Sequence, residues 1–511
     1  MTHRSLRFEY IPVPGWPRLA WLAQCHRTHN VVTVFHGSGV EVTDDWFAEA
    51  AWAGEFESGD FDRTDLVAGS GGRIRDGELV FVSSASTVDR LQSLERPDGA
   101  WVSNSLSCLV AAADAQIDES SGRYFWLFRT IVGGMRKYRR LFPTSAGPIN
   151  LTYFDNLVWD GAALITRVKP GMGRDFSTFD RYYGFLQTSM QALAGNAGAA
   201  ARHTRFDLLS TASSGYDSPT VTVLAKQAGA KQVLCFDQAR RGLDDSGEPL
   251  ARALGLEPVV VERMAWKSAA LPEVPFIASD SHGGDVFFRG AESLLSGKVL
   301  LTGYHGDKIW AKDCHSAVDE NIVRGDQSGL SITEYRLRAG MIHCPVSFWG
   351  VRQIKDIHRL SNLPEMAPWD VPGDYSRPIC RRIVEGAGVP REMFGMEKKA
   401  TWVLLLRGKE FLSPQSLDDY TAWLKDRRGA WIKRGRIPPV LNQQLDQFEV
   451  TIRKRVSLMG MADPPAWYKP ALRSTPFVRV IWRVGEAPSR MRRYIFPWAL
   501  EHNRKAYAPA F

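Results

Sequence analysis

The apolar positions follow two periods along the chain. From the N-terminus to about residue 170 they come in short runs rich in β-branched and aromatic residues, "NVVTVFHG", "ELVFVSSA" and "INLTYFDNLVW", punctuated by Gly, Asp and Asn. Such runs predict strands of a β-rich sandwich. From "FSTFDRYYGFLQTSMQALAGNAG" the period changes: Phe179, Tyr182, Tyr183, Leu186, Met190 and Leu193 recur at helical spacing. Strand-like "FDLLSTA", "QVLCFD", "EPVVVE" and "KVLLTG" then accompany helical "SPTVTVLAKQAG" and "GEPLARALG". Strands spaced by helices predict a parallel sheet covered on both faces. Beyond about residue 315 the chain reads as mainly helical, with many Trp, Arg and Pro. The expected class is α/β in three parts: a β-rich domain over 1–172, a parallel-sheet domain over 173–405, and a helical, basic region over 406–511.

Composition narrows this. A chain of 511 residues is long enough for two or three domains. Cys25, Cys108, Cys235, Cys314, Cys344 and Cys380 are scattered and form no CxxC pair. That argues against a zinc ribbon, an iron–sulfur site or a disulfide scaffold. The N-terminus has neither an apolar h-region nor a small-residue cleavage site, and no run reaches membrane-spanning length. A reducing, cytoplasmic setting is expected. The net charge of +8 gathers toward "KDRRGAWIKRGR" and "SRMRRYIF". Interleaved aromatics there could face a nucleic acid, although charge runs are usually solvated surface.

The stretch "LLSTASSGYDSPTVTVLAKQ" carries the chemistry. Ser213-Ser214-Gly215-Tyr216-Asp217-Ser218 sits where a parallel strand ends and a helix begins, the place where open α/β sheets bind ligands. The helix's first N–H groups and its positive dipole end would face the crevice. The serine hydroxyls add donors, Gly215 allows close backbone approach, and Pro219 suits a first helical turn. Such a corner suits phosphate. It matches neither GxxxxGK[ST] nor GxGxxG. Ordinary capping by Asp217 or Ser218 would also account for it.

Two further segments weigh against mere capping. "SSGYDS" resembles the SGGxDS loop of the N-type ATP pyrophosphatases, with Ser214 in place of a glycine. "LLTGYHGDKIW" resembles the asparagine synthetase segment LLSGEGADELF. Thr302-Gly303 fall on its Ser-Gly, Tyr304 on its first Glu, and Asp307 on its Asp. Lys308 replaces the second Glu. "SRPICRRIVEGAGVPREMFGMEKKA" resembles KxxLR…LPxEIxxRxKxGF, with Arg377 and Arg381 on its Lys and Arg and Lys398 on its second basic residue. The chain is thus similar to the asparagine synthetase and β-lactam synthetase superfamily over about 175–405.

The resemblance implies an adenine-nucleotide α-hydrolase-like sheet. It also implies a known reaction: ATP adenylates a carboxylate, pyrophosphate leaves, and an amine attacks the acyl-adenylate. Ser213, Ser214, Gly215, Tyr216, Asp217 and Ser218 would hold ATP and pyrophosphate, with Phe236, Thr302 and Gly303 at flanking strand ends. Asp217 and Asp307 are hard oxygen ligands suited to Mg²⁺. Lys398 would offset developing negative charge. Tyr304 resembles the catalytic tyrosine of the β-lactam and carbapenam synthetases. A tyrosine with an ordinary pKa of about 10 needs a tuning neighbour to take a proton. Glu334 is a candidate partner, and His305, Tyr335 and His343 are others. Read alone, Asp307 could be a turn residue and Lys398 a solvated lysine.

In asparagine synthetases the N-terminal domain is a glutaminase of the N-terminal-nucleophile type. Here the chain begins Met1-Thr2-His3 and the nearest cysteine is Cys25. Thr2 could serve as a nucleophile, but nothing else supports that role. "GAWVSNSLSCLVAA" and the β-rich pattern suggest a degenerate version of that sandwich. The expected enzyme is therefore an ATP-dependent carbon–nitrogen ligase joining a small or peptidic carboxylate to an amine not drawn from glutamine. Two other classes fit parts of the chain: a PP-loop enzyme modifying RNA, and a non-catalytic binding protein with a decayed site.

Overall fold

The computed structural model describes residues 6–119, 124–171, 173–312, 320–373, 375–397, 399–403, 412–428 and 494–507. The β-rich runs of the first third become Val31–His36, Glu78–Val82, Ile149–Tyr153 and Asn156–Trp159. They join two sheets. One has seven strands, in the order Arg7–Pro12, Val31–His36, Trp21–His26, Gly99–Ser103, Arg90–Arg96, Ile149–Tyr153, Leu141–Phe142. The other has six: Leu164–Arg167, Asn156–Trp159, Glu78–Val82, Val67–Arg75, Trp46–Trp52, Glu41–Val42. Side chains alternate across a strand, so each sheet turns one apolar face to the other. Trp21 of the first meets Phe47 and Phe81 of the second at ring-centroid distances of 5.0 and 6.0 Å.

The second sheet is covered on its other face as well. All seven residues of Trp46–Trp52 are buried. The helix Phe179–Ala197 lies against this strand, where Asn196 Oδ1 accepts from Trp52 N at 3.3 Å. Arg202, just beyond that helix, donates to Ala50 O at 2.8 Å.

The alternating elements of the middle third form a parallel five-stranded sheet. Its order is Glu257–Val261, Gln232–Phe236, Asp207–Ala212, Lys298–Thr302, Ile342–Pro345. Register places Ala212 beside Cys235 and Ser210 beside Leu301. The carboxyl ends of the three central strands therefore open together. Helices Asp217–Gln227 and Glu248–Ala253 fall where the pattern predicts them. The fifth strand is an addition to a stretch expected, and among the described residues found, to be mainly helical beyond about residue 315. "IHCP" is too short and too mixed in polarity to show a period, and it becomes a strand because a parallel neighbour, Lys298–Thr302, supplies its hydrogen bonds.

The β sandwich and the parallel sheet are tied together by buried charge. Arg336 donates to Glu49 at 2.6 Å and meets Asp89 at 3.0 Å. Ser70 and Asn104 complete Glu49 at 2.5 and 3.2 Å. Residues 83–90 of the sandwich also reach the parallel sheet's open end. Arg324 donates to Thr87 O at 3.1 Å, and Arg90 to Ser279 O at 2.6 Å. A Cβ on Gly329 would sit 2.8 Å from Val88 and 2.9 Å from the Tyr304 ring.

Helix Pro414–Arg428 and a helix over 494–504 pack on the same body; Trp498 Nε1 donates to Asp419 at 2.6 Å. Most of "KDRRGAWIKRGR", the first half of "SRMRRYIF", Thr2 and Cys314 lie outside the described residues. Among the described residues, no helix is long and apolar enough to cross a membrane.

Candidate active site

The corner begins where Asp207–Ala212 ends. Ser213 Oγ lies 2.7 Å from Ser218 Oγ and accepts from Gly215 N at 3.3 Å. Helix Asp217–Gln227 follows with Tyr216 at its N-cap and no side-chain cap. Asp217 and Ser218 therefore do not cap the helix, and its first N–H groups open toward the crevice. Ser214 explains its own departure from glycine. Its backbone N and its Oγ both donate to Asp245 Oδ1, at 3.2 and 2.7 Å. Burial raises the Asp245 carboxyl above its ordinary value.

The second segment meets the first through two glycines. A Cβ on Gly303 would fall 2.5 Å from the Asp217 carbonyl carbon, and one on Gly306 2.5 Å from its carboxyl carbon. Only glycine lets the two motifs approach this closely. The third segment wraps the corner from outside. Arg377 pairs with Asp217 Oδ1, and Arg381 donates to the Tyr216 hydroxyl at 2.7 Å. Gly395 N donates to Ser214 O at 2.9 Å.

Together these segments enclose a cavity of about 200 Å³. Ser213, Gly215, Tyr216, Asp217, Ser218, Phe236, Gly303, Tyr304 and Asp307 all line it. Ser214 stands just behind, turned to Asp245. Thr302 is buried beneath, its hydroxyl 2.9 Å from His343 Nε2. Phe236, Phe287 and Phe288 form one apolar wall, with centroids 4.5 to 5.7 Å apart. Chain 399–403 closes another side, anchored by Ala400 O to Arg240 N at 2.9 Å and Val403 N to Gly284 O at 2.8 Å.

Tyr304 has a partner that sequence reasoning missed. Its hydroxyl donates to Asp285 Oδ1 at 3.1 Å. Asp285 is fully buried and also accepts from Gly329 N at 3.0 Å, Ser331 N at 3.3 Å and Ser331 Oγ at 2.6 Å. Burial raises the Asp285 carboxyl despite these donors. Burial first, then the Asp285 charge, push the Tyr304 phenol well above its ordinary value.

Glu334 is not the partner. It points into the sandwich, accepting from Ser105 Oγ at 2.8 Å, Ser107 N at 3.2 Å and Asn503 Nδ2 at 3.1 Å. Helix Thr333–Ala339 turns Glu334 toward the N-terminus of Leu106–Ala112, whose N-cap Ser105 accepts from Cys108 N and donates to the carboxylate, a place where negative charge is favoured. Tyr335 bonds Phe288 O at 3.2 Å, and His343 is taken by Thr302. His305 lines the cavity but stacks on Phe348 at 4.7 Å, and burial lowers its imidazole to about 3.

Lys398 lies outside the described residues. The next residue, Lys399, reaches the corner, with Nζ 3.3 Å from Ser214 Oγ and 2.5 Å from Asp244 O. A double lysine in "MEKKA" leaves the register open in sequence. Asp245 carried a weak signal in "GLDDSGEP", acidic residues beside glycines; Asp285 in "HGGDVFF" carried none.

Among the described residues no group of three or more His, Cys, Asp or Glu side chains is arranged to hold a metal ion. Two cavity-lining carboxylates, Asp217 and Asp307, fit a Mg²⁺ that takes its other ligands from phosphate and water. No family model matches the chain, and no curated protein matches it.

Proposed function

We propose that the chain is an ATP-dependent carbon–nitrogen ligase of the asparagine synthetase-like kind, releasing pyrophosphate and AMP. On this reading the parallel sheet is an adenine-nucleotide α-hydrolase-like domain and the sandwich a degenerate relative of the N-terminal-nucleophile glutaminases. One observation carries the proposal: the uncapped helix start at Ser213–Ser218, the carboxylates of Asp217 and Asp307, and Tyr304, backed by the buried Asp285, meet at one cavity.

A substrate carboxylate attacks the α-phosphorus of ATP, and the bond to pyrophosphate breaks. Ser213, Gly215, Ser218 and the first helical N–H groups hold the departing pyrophosphate, and Lys399 adds a positive charge beside Ser214. Mg²⁺, held by Asp217 and Asp307, would neutralise phosphate charge. Arg377 occupies Asp217 in the free protein and keeps that carboxylate aimed at the cavity. The amine nitrogen then attacks the acyl carbon and expels AMP. As the C–N bond forms, Tyr304 takes the nitrogen's proton while its own phenolic proton passes to Asp285. A relay of this kind needs no free tyrosinate, which suits a phenol held above its ordinary pKa.

The sandwich offers no glutaminase thiol among the described residues. Cys25 and Cys108 are buried, and burial drives both thiols up. The amine is therefore free ammonia or part of a substrate.

ATP–pyrophosphate exchange with a panel of carboxylic acids tests the reading. Asp307→Ala should abolish exchange. Tyr304→Phe should keep exchange and slow amide formation about 10²–10⁴-fold, the usual contribution of a positioned proton-transfer group. ATP·Mg²⁺ at about a hundred times its dissociation constant should add roughly 2.7 kcal/mol of stability. No stabilisation and no exchange would overturn the proposal.

A further inference from the structure

Arg377 sits on the carboxylate that the cavity offers to a metal ion. It stands at the N-cap of helix Pro378–Gly386, 5% exposed, and pairs with Asp217 Oδ1 through Nη1. The rings of Tyr216 and Tyr375 lie 5.8 and 5.2 Å from its guanidinium carbon. Nε and Nη2 have no acceptor among the described residues, yet neither is sealed from solvent. On so deeply buried a residue of the cavity lining, that opening is the cavity. Asp217 cannot leave the pair. A Cβ on Gly306 would fall 2.5 Å from its carboxyl carbon and one on Gly303 2.5 Å from its carbonyl carbon, so two glycine backbones wedge it in place. A metal ion on Asp217 would face the guanidinium across one carboxylate, where little water damps their repulsion. One cation must yield, and the long side chain of Arg377 is the part able to move. The lining carries four carboxylates, Asp217, Asp245, Asp307 and Asp326, against two cations, Arg377 and Lys399. Such a wall draws Mg²⁺ even without a nucleotide and repels a bare triphosphate.

We propose that Arg377 holds Asp217 in place of the metal in the free protein and passes to the phosphates when the nucleotide arrives, leaving Asp217 to Mg²⁺. The assignment rests on the ligase reading and adds to it the order of binding. The planar fork of a guanidinium suits two phosphate oxygens as well as it suits a carboxylate. Each cation then has its own anion: Mg²⁺ takes Asp217, and Arg377 exchanges one carboxylate for phosphate oxygens. The free site is closed to Mg²⁺ alone and opens to Mg²⁺ that comes with a triphosphate.

The test compares wild type, Arg377→Gln and Arg377→Lys by thermal shift and calorimetric titration, with magnesium chloride alone and with ATP·Mg²⁺ as probes. Wild type should answer to ATP·Mg²⁺ and not to magnesium chloride. Arg377→Gln opens Asp217, so magnesium chloride alone should raise its melting temperature. The same variant should bind ATP·Mg²⁺ about tenfold or more weakly, the effect of losing a charged hydrogen bond. A purely structural arginine would not make the two affinities move in opposite directions. Arg377→Lys keeps the ion pair without the fork. It should stay silent to magnesium chloride and bind ATP·Mg²⁺ several-fold more weakly than wild type, and it decides the matter if Arg377→Gln does not fold. A wild-type response to magnesium chloride equal to that of Arg377→Gln overturns the assignment. So does an ATP·Mg²⁺ affinity unchanged in Arg377→Gln or, should that variant not fold, in Arg377→Lys. No response of wild type to ATP·Mg²⁺ instead overturns the ligase reading, and the Arg377 assignment falls with it.

Discussion

The junction between sandwich and parallel sheet and the open end of that sheet both bury polar groups, and they treat them in opposite ways. At the junction Glu49 is met by Arg336, Ser70 and Asn104, and Arg336 by Asp89 as well. Those partners come from both sides of the junction. At the open end the helix start at Asp217 lacks a side-chain cap and both His305 nitrogens lack partners among the described residues. The junction pairs its charges with one another, whereas the open end leaves a helix start without a side-chain cap beside a cavity.

Arg336→Ala should break the comparison most severely. It strands two buried carboxylates and should cost about 3–5 kcal/mol of unfolding free energy in urea titration. A loss below 1 kcal/mol would mean that the junction does not depend on its ions.

Asp285→Asn should sharpen it. The amide oxygen can keep the donors from Gly329 and Ser331, but the NH₂ would face Tyr304 and cannot receive its proton. Amide formation should fall about 10²–10³-fold, with pyrophosphate exchange retained and melting little changed. Equal loss of exchange and amide formation would remove Asp285 from the transfer step.

Asp280 stands between the two behaviours. Its Oδ1 accepts from His282 N and Gly283 N at 2.8 and 2.9 Å, while Oδ2 has no hydrogen-bond partner among the described residues. Burial raises its carboxyl from 3.8 to about 7. Between those values the folded chain holds a proton that the unfolded chain has released. Its contribution to stability is therefore full below about pH 4 and falls as pH rises to 7. Asp280→Asn should flatten that slope and raise stability at pH 8 by roughly 2 kcal/mol, with little change at pH 4. An unaltered slope in pH-resolved thermal melts would show that another group sets it.

The parts legible in sequence were those set by local geometry. A strand–turn–helix corner needs small hydroxyl residues, and two backbones touching at Asp217 need Gly303 and Gly306; each leaves a mark in consecutive residues. Strand and helix periods were visible in the runs named from sequence, but strands such as Trp21–His26, Trp46–Trp52, Val67–Arg75 and Arg90–Arg96 were not singled out, nor was Ile342–Pro345, whose pairing comes from Lys298–Thr302. The partner of Tyr304 was not legible. Asp285 reaches it from a loop 19 residues upstream and is fixed by donors from Gly329 and Ser331, none of which forms a local pattern. Glu334 looked suitable by residue type, but one turn of helix points it the other way.

Thr87, Val88 and Arg90 belong to the sandwich, yet they press on the loop that steadies Asp285 and the wall beside Tyr304. The N-terminal third therefore supports the wall of the cavity beside Tyr304. Expressing the remainder alone would strip Tyr304 and the Gly329 loop of that support, so the two parts are best engineered together.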